Sequence, residues 1–202
     1  MSIAVDPHPL LDLKTLRARF PQALSTLTGP DPYVSLQGAL PAWGDAEKEL
    51  VRALLRAGGF KPSGRSKPCS EYMRAAAERG ELPRVNIGVD VVNAAVLVGG
   101  LPISIVDTTK LQGALRVGVA EAGASYIFNR GGQEISLGGL LCLFDGEGPC
   151  ANAVKDAQRT KTDDDTTDTL ILIWGTRAWP GRAEAVADAL RGALLGLGAT
   201  VE

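Results

Sequence analysis

The sequence predicts an α+β fold, and three observations carry this prediction. Segments with helical apolar spacing come first along the chain, and short runs rich in branched side chains follow from residue 101. A single amphipathic segment, "GRAEAVADALRGALLGLG", closes the chain and predicts a last helix. Because the strands do not alternate regularly with helices, the pattern favours α+β over a parallel α/β architecture.

Three helices are expected before residue 101. The segments "DLKTLRARF" and "AEKELVRALLRAGG" have helical apolar spacing, and Gly58 and Gly59 provide a stop for the second. The segment "CSEYMRAAAERG" predicts a short helix that ends at Gly80. Between them, the Pro, Gly and Ser residues of "KPSGRSKP" indicate a loop.

Six strands are expected after residue 101, most of them separated by Gly-rich turns such as "NRGGQE", "LGG" and "DGEG". The predicted strands are "PISIV", "ALRVGV", "SYIFN", "EISL", "LLCLF" and "TLILIWG". The acidic run "TDDDTTDT" lacks the glycine and terminal glutamate of a calcium loop, so it is interpreted as a solvated turn before the last strand.

The composition is typical of a water-soluble globular protein. The chain has 202 residues, of which 45% are apolar and 22% charged, which suits one domain with a proper core. No apolar run approaches the roughly 20 residues of a membrane span, and the N-terminus lacks the basic start and apolar stretch of a signal peptide. Three cysteines without C-x-x-C spacing do not form a disulfide scaffold, so a cytoplasmic location without membrane contact is expected.

The overall charge does not indicate nucleic-acid binding, but one segment does. The formal net charge is −2, whereas proteins that bind nucleic-acid backbones usually carry a basic excess. Residues 61–84 nevertheless contain six cations against three acids. Scattered surface charge explains this excess as well as RNA contact does. The basic residues that we assign to RNA contact are Arg65, Lys67, Arg74 and Arg84.

The common catalytic and cofactor motifs are missing from the sequence. The one histidine, His8, lies in an N-terminal segment that is expected to be poorly anchored, which argues against a Ser-His-Asp or Cys-His mechanism. The sequence has no zinc-ligand spacing and no phosphate-binding loop, so no metal and no cofactor are predicted.

Asp90 and Asn93 interrupt the apolar run after Pro83. A polar group buried without a partner costs roughly 2–7 kcal/mol, so both side chains need a partner. The spacing D-x-x-N resembles a weak capping box, which makes Asp90 the expected N-cap of a helix. Asn93 fits that role less well, and its amide also suits a ligand contact, so its role stays open at this point.

Several segments in the same order resemble the tRNA-binding editing domain of the bacterial phenylalanyl-tRNA synthetase beta chain, in its freestanding form. They are Pro68 with Ser70-Glu71, "LPRVN", "VDVVN", Leu101-Pro102, Asp107, Leu115-Arg116, "DGEG" and "RTKTDDDTTDTL". The resemblance covers roughly residues 59–176. It implies a three-layer α+β domain with a β-sandwich of unusual topology, and a single domain over 1–202: a helical variable part in 1–58, the editing-like core in 59–176, and a C-terminal helix in 177–202.

The same resemblance implies three site residues. Asn93 falls where the family places an asparagine of the editing pocket, Ser104 replaces the pocket histidine, and Gln158 falls near the pocket glutamate. In the synthetase that domain hydrolyses tyrosine wrongly esterified to phenylalanine tRNA. The synthetase's aminoacylation site has no counterpart here, so the chain is not expected to be a tRNA ligase by itself.

Three functional hypotheses follow. In the first, the protein binds tRNA or aminoacyl-tRNA and hydrolyses a mischarged ester in trans, with Asn93, Ser104 and Gln158 in the catalytic site. In the second, the pocket binds an amino acid or a tRNA 3′ end without catalysis, because the histidine and glutamate are replaced. In the third, the chain is a protein-interaction domain with a vestigial pocket. Fold resemblance alone does not decide among them.

Overall fold

A computed structural model describes residues 2–64 and 66–202 of the chain. It contains helices and strands in an α+β arrangement, so the predicted fold class is confirmed. The helices are α1 (Pro32–Ser35), α2 (Asp45–Arg56), α3 (Cys69–Glu78), α4 (Ile87–Gly99) and α5 (Arg182–Gly196). The strands are β1 (Ile3–Val5), β2 (Leu11–Arg19), β3 (Ile103–Asp107), β4 (Leu115–Val119), β5 (Ser125–Ile127), β6 (Glu134–Ser136), β7 (Leu141–Asp145), β8 (Gly148–Asn152), β9 (Asp168–Thr176) and β10 (Thr200–Val201).

The strands form two four-stranded sheets and one two-stranded ribbon. The first sheet has the order β1-β4-β7-β8, in which β1 runs parallel to β4 and the other pairs are antiparallel. The second sheet has the antiparallel order β10-β2-β9-β3. The ribbon pairs β5 with β6. Two 3-10 turns, Thr108–Lys110 and Gln158–Thr160, lie in the connections.

Strand β9 lies at the centre of the core. Every residue from Thr169 to Thr176 is buried, including the fully buried indole of Trp174. Both faces of β9 are therefore covered, which explains the continuous apolar run in this part of the sequence. Helix α5 contacts β2 and β9, α4 packs on α5 and β3, and β3 contacts β8 of the other sheet.

The segment "DLKTLRARF" is a strand, so the prediction of a helix there is wrong. It forms most of β2, which pairs with β9 along its whole length, from Leu11 opposite Thr176 to Arg19 opposite Asp168. Buried Leu16 and Ala18 alternate with Arg17 and Arg19, which ion-pair with Asp168. The expectation of a wholly helical part in 1–58 fails for the same reason, because β1 and β2 both lie there.

Two local predictions near the helices also need correction. Asn86, not Asp90, is the N-cap of α4, since its side chain accepts the N–H of Val89 at 3.0 Å. Asp90 lies one turn further on, is 6% exposed and accepts the N–H of Val85 at 3.0 Å. His8 is anchored, because its Nδ1 accepts the backbone N–H groups of Leu10 and Leu11.

Helices α2, α3 and α5 lie where the sequence predicts them, and each of the six predicted strands is present. Within the described parts of the chain, no helix has the length and apolar character needed to cross a membrane.

Candidate ligand-binding site

A cavity of about 930 Å³ opens beside helix α3, and we call it the α3 cavity. Its volume lies within the range of about 300–1,000 Å³ that ligand sites occupy. One wall is α3 itself, with Tyr72 and Arg74, and a second is the loop after β8, with Val154 and Lys155. The other walls come from Trp43 before α2 and from the tip of the β5–β6 hairpin.

Three aromatic rings line the α3 cavity. Trp43 donates its indole N–H to the carbonyl oxygen of Leu97 at 2.8 Å, which fixes the ring against α4. The Tyr72 side chain projects from α3 and the residue is 62% exposed. Phe128 is partly buried and packs against the core. Such rings provide faces on which a planar group stacks.

The lining carries an excess of positive charge. Among the described residues it holds five cations and three acids, on a chain whose formal net charge is −2. The cations are Lys48, Lys67, Arg74, Lys155 and Lys161, and the acids are Asp45, Glu71 and Glu78.

Ion pairs within the wall occupy some of these charges. Glu71 accepts two hydrogen bonds from Arg52 at 2.6 Å, and Arg74 contacts Glu78 at 3.2 Å while stacking over Trp43 at 5.2 Å. Lys67 is exposed at the edge of the cavity. The wall is therefore electrostatically suited to an anionic ligand.

The hairpin tip is held over the cavity by two lysines. Lys161 Nζ donates to the carbonyl oxygen of Phe128 at 2.5 Å, and Lys155 Nζ lies 4.0 Å from the centre of the Phe128 ring. At the base of the hairpin, the hydroxyl of Tyr126 donates to the carbonyl oxygen of Lys155 at 2.5 Å and accepts from the side chain of Asn152. The hairpin and the loop after β8 are thus one hydrogen-bonded unit.

Ser104 lies beneath this unit and is fully buried. Its Oγ accepts the indole N–H of Trp174 at 2.9 Å and lies 3.1 Å from the carbonyl oxygen of Asn152, to which it donates. The hydroxyl also hydrogen-bonds to the carboxyl group of Asp156. Ser104 is therefore part of a network that joins β3 to β8 and does not line the cavity.

Burial shifts the pKa values of two groups around this network. It raises the pKa of Asp156 to about 6, although hydrogen bonds from Ser104 and from backbone N–H groups oppose the shift. It also raises the pKa of Cys69, which lines the cavity, to about 12. A thiol that stays protonated at neutral pH is a poor nucleophile, so Cys69 is not suited to covalent catalysis.

Asn93 lies in a different polar cluster, which we call the α1–α4 seam: Asp31, Tyr33, Arg84, Asp90 and Asn93. The Asn93 side chain hydrogen-bonds to the Tyr33 hydroxyl, which donates to the carbonyl oxygen of Pro83 at 2.9 Å. Arg84 forms a bidentate pair with Asp31 at 3.0 and 2.7 Å and stacks over the Tyr33 ring at 4.6 Å.

The structure therefore separates the residues that the sequence assigns to one site. Of the described residues in that assignment, only Lys67 and Arg74 line the α3 cavity, whereas Asn93, Ser104, Gln158 and Arg84 do not. Gln158 begins the 3-10 turn after β8, next to Arg159, which pairs with the buried Asp145 at 2.6 and 2.8 Å. Arg65 lies outside the described residues.

The sequence reasoning missed the aromatic part of the site. Trp43, Tyr72 and Phe128 come from three separate segments, so no spacing in the sequence links them. The available signal was the scarcity of aromatic residues, at 5% of the chain, together with the exposure of Tyr72 on a helix that also carries Arg74. Within residues 2–64 and 66–202, no group of three or more His, Cys, Asp and Glu side chains is arranged to hold a metal ion.

Comparison with known proteins identifies the family. The B3/4 domain family matches residues 60–178, more than half of the chain, and the protein belongs to this family. The resemblance to the phenylalanyl-tRNA synthetase beta-chain domain is thereby confirmed at the level of the family. No curated protein sequence matches the chain.

Among solved structures, the chain is similar to an N-terminal fragment of the phenylalanyl-tRNA synthetase beta subunit from Pyrococcus horikoshii. The TM-score is 0.49 and the sequence identity 16%. The similarity covers 57% of this chain and 41% of the synthetase fragment.

Proposed function

We propose that this B3/4 domain binds the aminoacylated 3′ end of a tRNA in the α3 cavity and hydrolyses a mischarged ester in trans. The observation that carries the proposal is the lining of the cavity, which combines three aromatic rings with an excess of cations. Unpaired nucleotides are recognised by this combination, because bases stack on aromatic side chains while cations contact the phosphates. The kinship with a synthetase domain makes a charged tRNA the favoured ligand. Such a substrate places the protein in the cytoplasm, where tRNAs are charged.

The lining offers separate contacts to the parts of such a ligand. At the outer edge, Lys67 and Arg74 suit the phosphates, and the exposed ring of Tyr72 suits a base. Base stacking on an aromatic side chain contributes about 1–3 kcal/mol. Further in, Phe128 and the buried side chain of Val154 provide an apolar surface for the side chain of the amino acid.

The reaction requires little from the protein, because an aminoacyl ester is already activated. The oxygen of a water molecule bonds to the ester carbonyl carbon, the bond from that carbon to the ribose oxygen breaks, and the ribose hydroxyl is restored. The proton lost by the water and the proton gained by the ribose oxygen are exchanged through solvent. One hydrogen-bond donor at the carbonyl oxygen accelerates such a step by about 10²–10³-fold.

A second candidate function, binding without hydrolysis, is favoured by one observation. The hydroxyl of Ser104 is fully buried and already bonded to Trp174 and Asn152, so it does not reach a ligand in the cavity. The residue that replaces the family's histidine then contributes to the fold and not to the reaction. In that case the protein captures a charged tRNA and leaves the ester intact.

The test is a deacylation time course with a panel of charged tRNAs, starting with tyrosine- and phenylalanine-charged tRNA, each with a no-protein control. The wild-type protein should cleave at least one species well above the uncatalysed rate. The double variant Lys67→Ala/Arg74→Ala should bind that species more weakly, whereas Arg79→Ala, an exposed α3 cation outside the cavity, should behave as wild type. Saturable binding with flat time courses would establish the second candidate, and no binding at all would contradict both.

A further inference from the structure

The α3 cavity has an exposed end and a buried end. Tyr72 is 62% exposed and Lys67 is also exposed, so both lie at the entrance. Val154 is 5% exposed, and Cys69, Phe128 and Lys161 are partly buried, so these residues form the inner end. A nucleic acid is too bulky to enter completely, and the inner end therefore suits the small group at its terminus.

Lys161 is the cation that the structure fixes most firmly at the inner end. Its carbonyl oxygen accepts a hydrogen bond from Lys110 Nζ at 2.6 Å, and its backbone forms a β-bridge with Val106. Its own Nζ donates to the carbonyl oxygen of Phe128 at 2.5 Å. An ammonium group has three N–H donors, so this bond uses only one of them.

Two charged groups face the Lys161 ammonium. The carboxylate of Asp156 attracts it, and the ammonium of Lys155 repels it. Asp156 is itself held by the Ser104 hydroxyl and by the backbone N–H of Asn152 at 3.2 Å. The buried network beneath the cavity therefore orients a cation that the cavity presents to a ligand.

We propose that Lys161 contacts the carbonyl oxygen of the aminoacyl ester and is a catalytic residue of this site. The assignment rests on the proposed function, because it places the ester of a charged tRNA at the inner end. When water adds to the carbonyl carbon, the carbonyl oxygen gains negative charge, and an N–H of Lys161 donates to it. When the bond to the ribose oxygen breaks, the carbonyl forms again and Lys161 keeps its proton.

The charge state of Lys161 gives this role a signature in pH. Burial lowers the pKa of Lys161, and the Lys155 ammonium lowers it further, while Asp156 opposes the shift. Hydrolysis that depends on the ammonium should therefore decline at alkaline pH once the uncatalysed rate is subtracted. An arginine at this position stays protonated over the whole range and should remove the decline.

The experiment compares Lys161→Met and Lys161→Arg with wild type in single-turnover deacylation of the charged tRNA that wild type cleaves best. Lys161→Met should lower the rate constant about 10²–10³-fold with little change in the concentration that gives half-maximal rate. Lys161→Arg should recover part of the rate and lose the alkaline decline. Lys67→Met, at the entrance, should mainly raise the half-maximal concentration.

The outcomes separate this inference from the function on which it rests. If Lys161→Met cleaves at a rate within threefold of wild type, Lys161 is not the carbonyl contact, although the deacylase assignment stands. If both variants lose activity equally and Lys161→Arg keeps the alkaline decline, Lys161 has only a structural role. If wild type cleaves no charged tRNA, the proposed hydrolysis fails and this inference fails with it.

Discussion

The α3 cavity and the α1–α4 seam contain similar residue types in different circumstances. Each has an arginine stacked on an aromatic ring, Arg74 over Trp43 at 5.2 Å and Arg84 over Tyr33 at 4.6 Å. In the seam, the polar side chains bond to one another or to nearby backbone, as Arg84 does with Asp31. In the cavity, cations and aromatic rings surround about 930 Å³ of open space.

This difference teaches that residue type alone does not mark a ligand site. Buried polar groups that already have hydrogen-bond partners stabilise the fold, since leaving either partner alone is costly. Aromatic and cationic groups that face open space are available to a ligand. Asn93 and Arg84 therefore fit a structural role, whereas Tyr72, Lys67 and Lys161 fit a binding role, and the variants below test that division.

The largest effect on stability is expected from Asp156, which lies under the cavity. Burial raises its pKa from 3.8 to about 6 in the folded protein, so the folded state binds more protons than the unfolded state between these values. The contribution of Asp156 to stability is present below about pH 4 and is lost as the pH rises through 6. Relative to Asp156→Asn, wild type should lose at most about 3 kcal/mol between pH 4 and pH 7.

Urea unfolding of both proteins across this pH range measures the difference, with exposed Asp165→Asn as the control. Parallel stability curves for wild type and Asp156→Asn would contradict the raised pKa.

The next largest effect is expected from Ser104→Ala. Removing the hydroxyl leaves the indole N–H of Trp174 and the carbonyl oxygen of Asn152 without this partner in the core. The free energy of unfolding should fall by about 1–3 kcal/mol. Denaturant unfolding measures it, and Ser136→Ala, at an exposed position of β6, should change little. A loss of deacylation with unchanged stability would instead favour the catalytic role predicted from the sequence.

A smaller effect is expected from Asn93→Ala in the seam. The variant removes the hydrogen bond to the Tyr33 hydroxyl and should cost about 1 kcal/mol of stability. The cost should shrink in a Tyr33→Phe background, because the partner hydroxyl is already gone. Deacylation should stay within twofold of wild type. The role of Asn93 in an editing pocket stays a prediction, and strongly weakened deacylation in a stable Asn93→Ala variant would support it.

The smallest effect is expected from Arg84→Ala. Exposed ion pairs contribute about 0–1 kcal/mol, and Arg84 is paired with Asp31 on the surface. The affinity for tRNA should stay within twofold, and the dependence of binding on salt should not change. A uniform loss of affinity together with a salt dependence reduced by about one ion would place a phosphate contact at Arg84.

Parts of the fold follow from local sequence. The apolar run Leu170–Trp174 predicts β9, and the spacing and terminal glycines of α3 and α5 predict those helices. Strand β2 does not follow, because Leu13, Leu16 and Phe20 fit a helical spacing as well as a strand. Pairing with β9, about 150 residues away, decides the conformation, and no local pattern contains that information.

The cap of α4 and strand β8 show two other limits. Asn86 and Asp90 are both acceptable N-caps one turn apart, and only the observed bond from Val89 separates them. Strand β8 reads "GPCAN", whose glycine and proline argue against a strand, although it pairs with β7 at the edge of its sheet.

The site was predicted least well, because its parts converge only in the folded chain. The basic residues Lys67 and Arg74 were found, since they lie close together in the sequence. Trp43, Phe128 and Lys161 lie far from them and from one another, and the β5–β6 hairpin brings Phe128 to Lys161. Ser104 was assigned by position in a family motif, and that position is buried.

The most direct test of the central claim measures equilibrium binding of a charged tRNA to Tyr72→Ala and to Val34→Ala. The two residues are similarly exposed, at 62% and 68%, but Tyr72 lines the cavity whereas Val34 lies on α1 beside the seam. Loss of one stacked base should weaken binding to Tyr72→Ala roughly 5- to 150-fold and leave Val34→Ala unchanged. Unchanged affinity in Tyr72→Ala, or a loss confined to Val34→Ala, would contradict the assignment of the α3 cavity as the site.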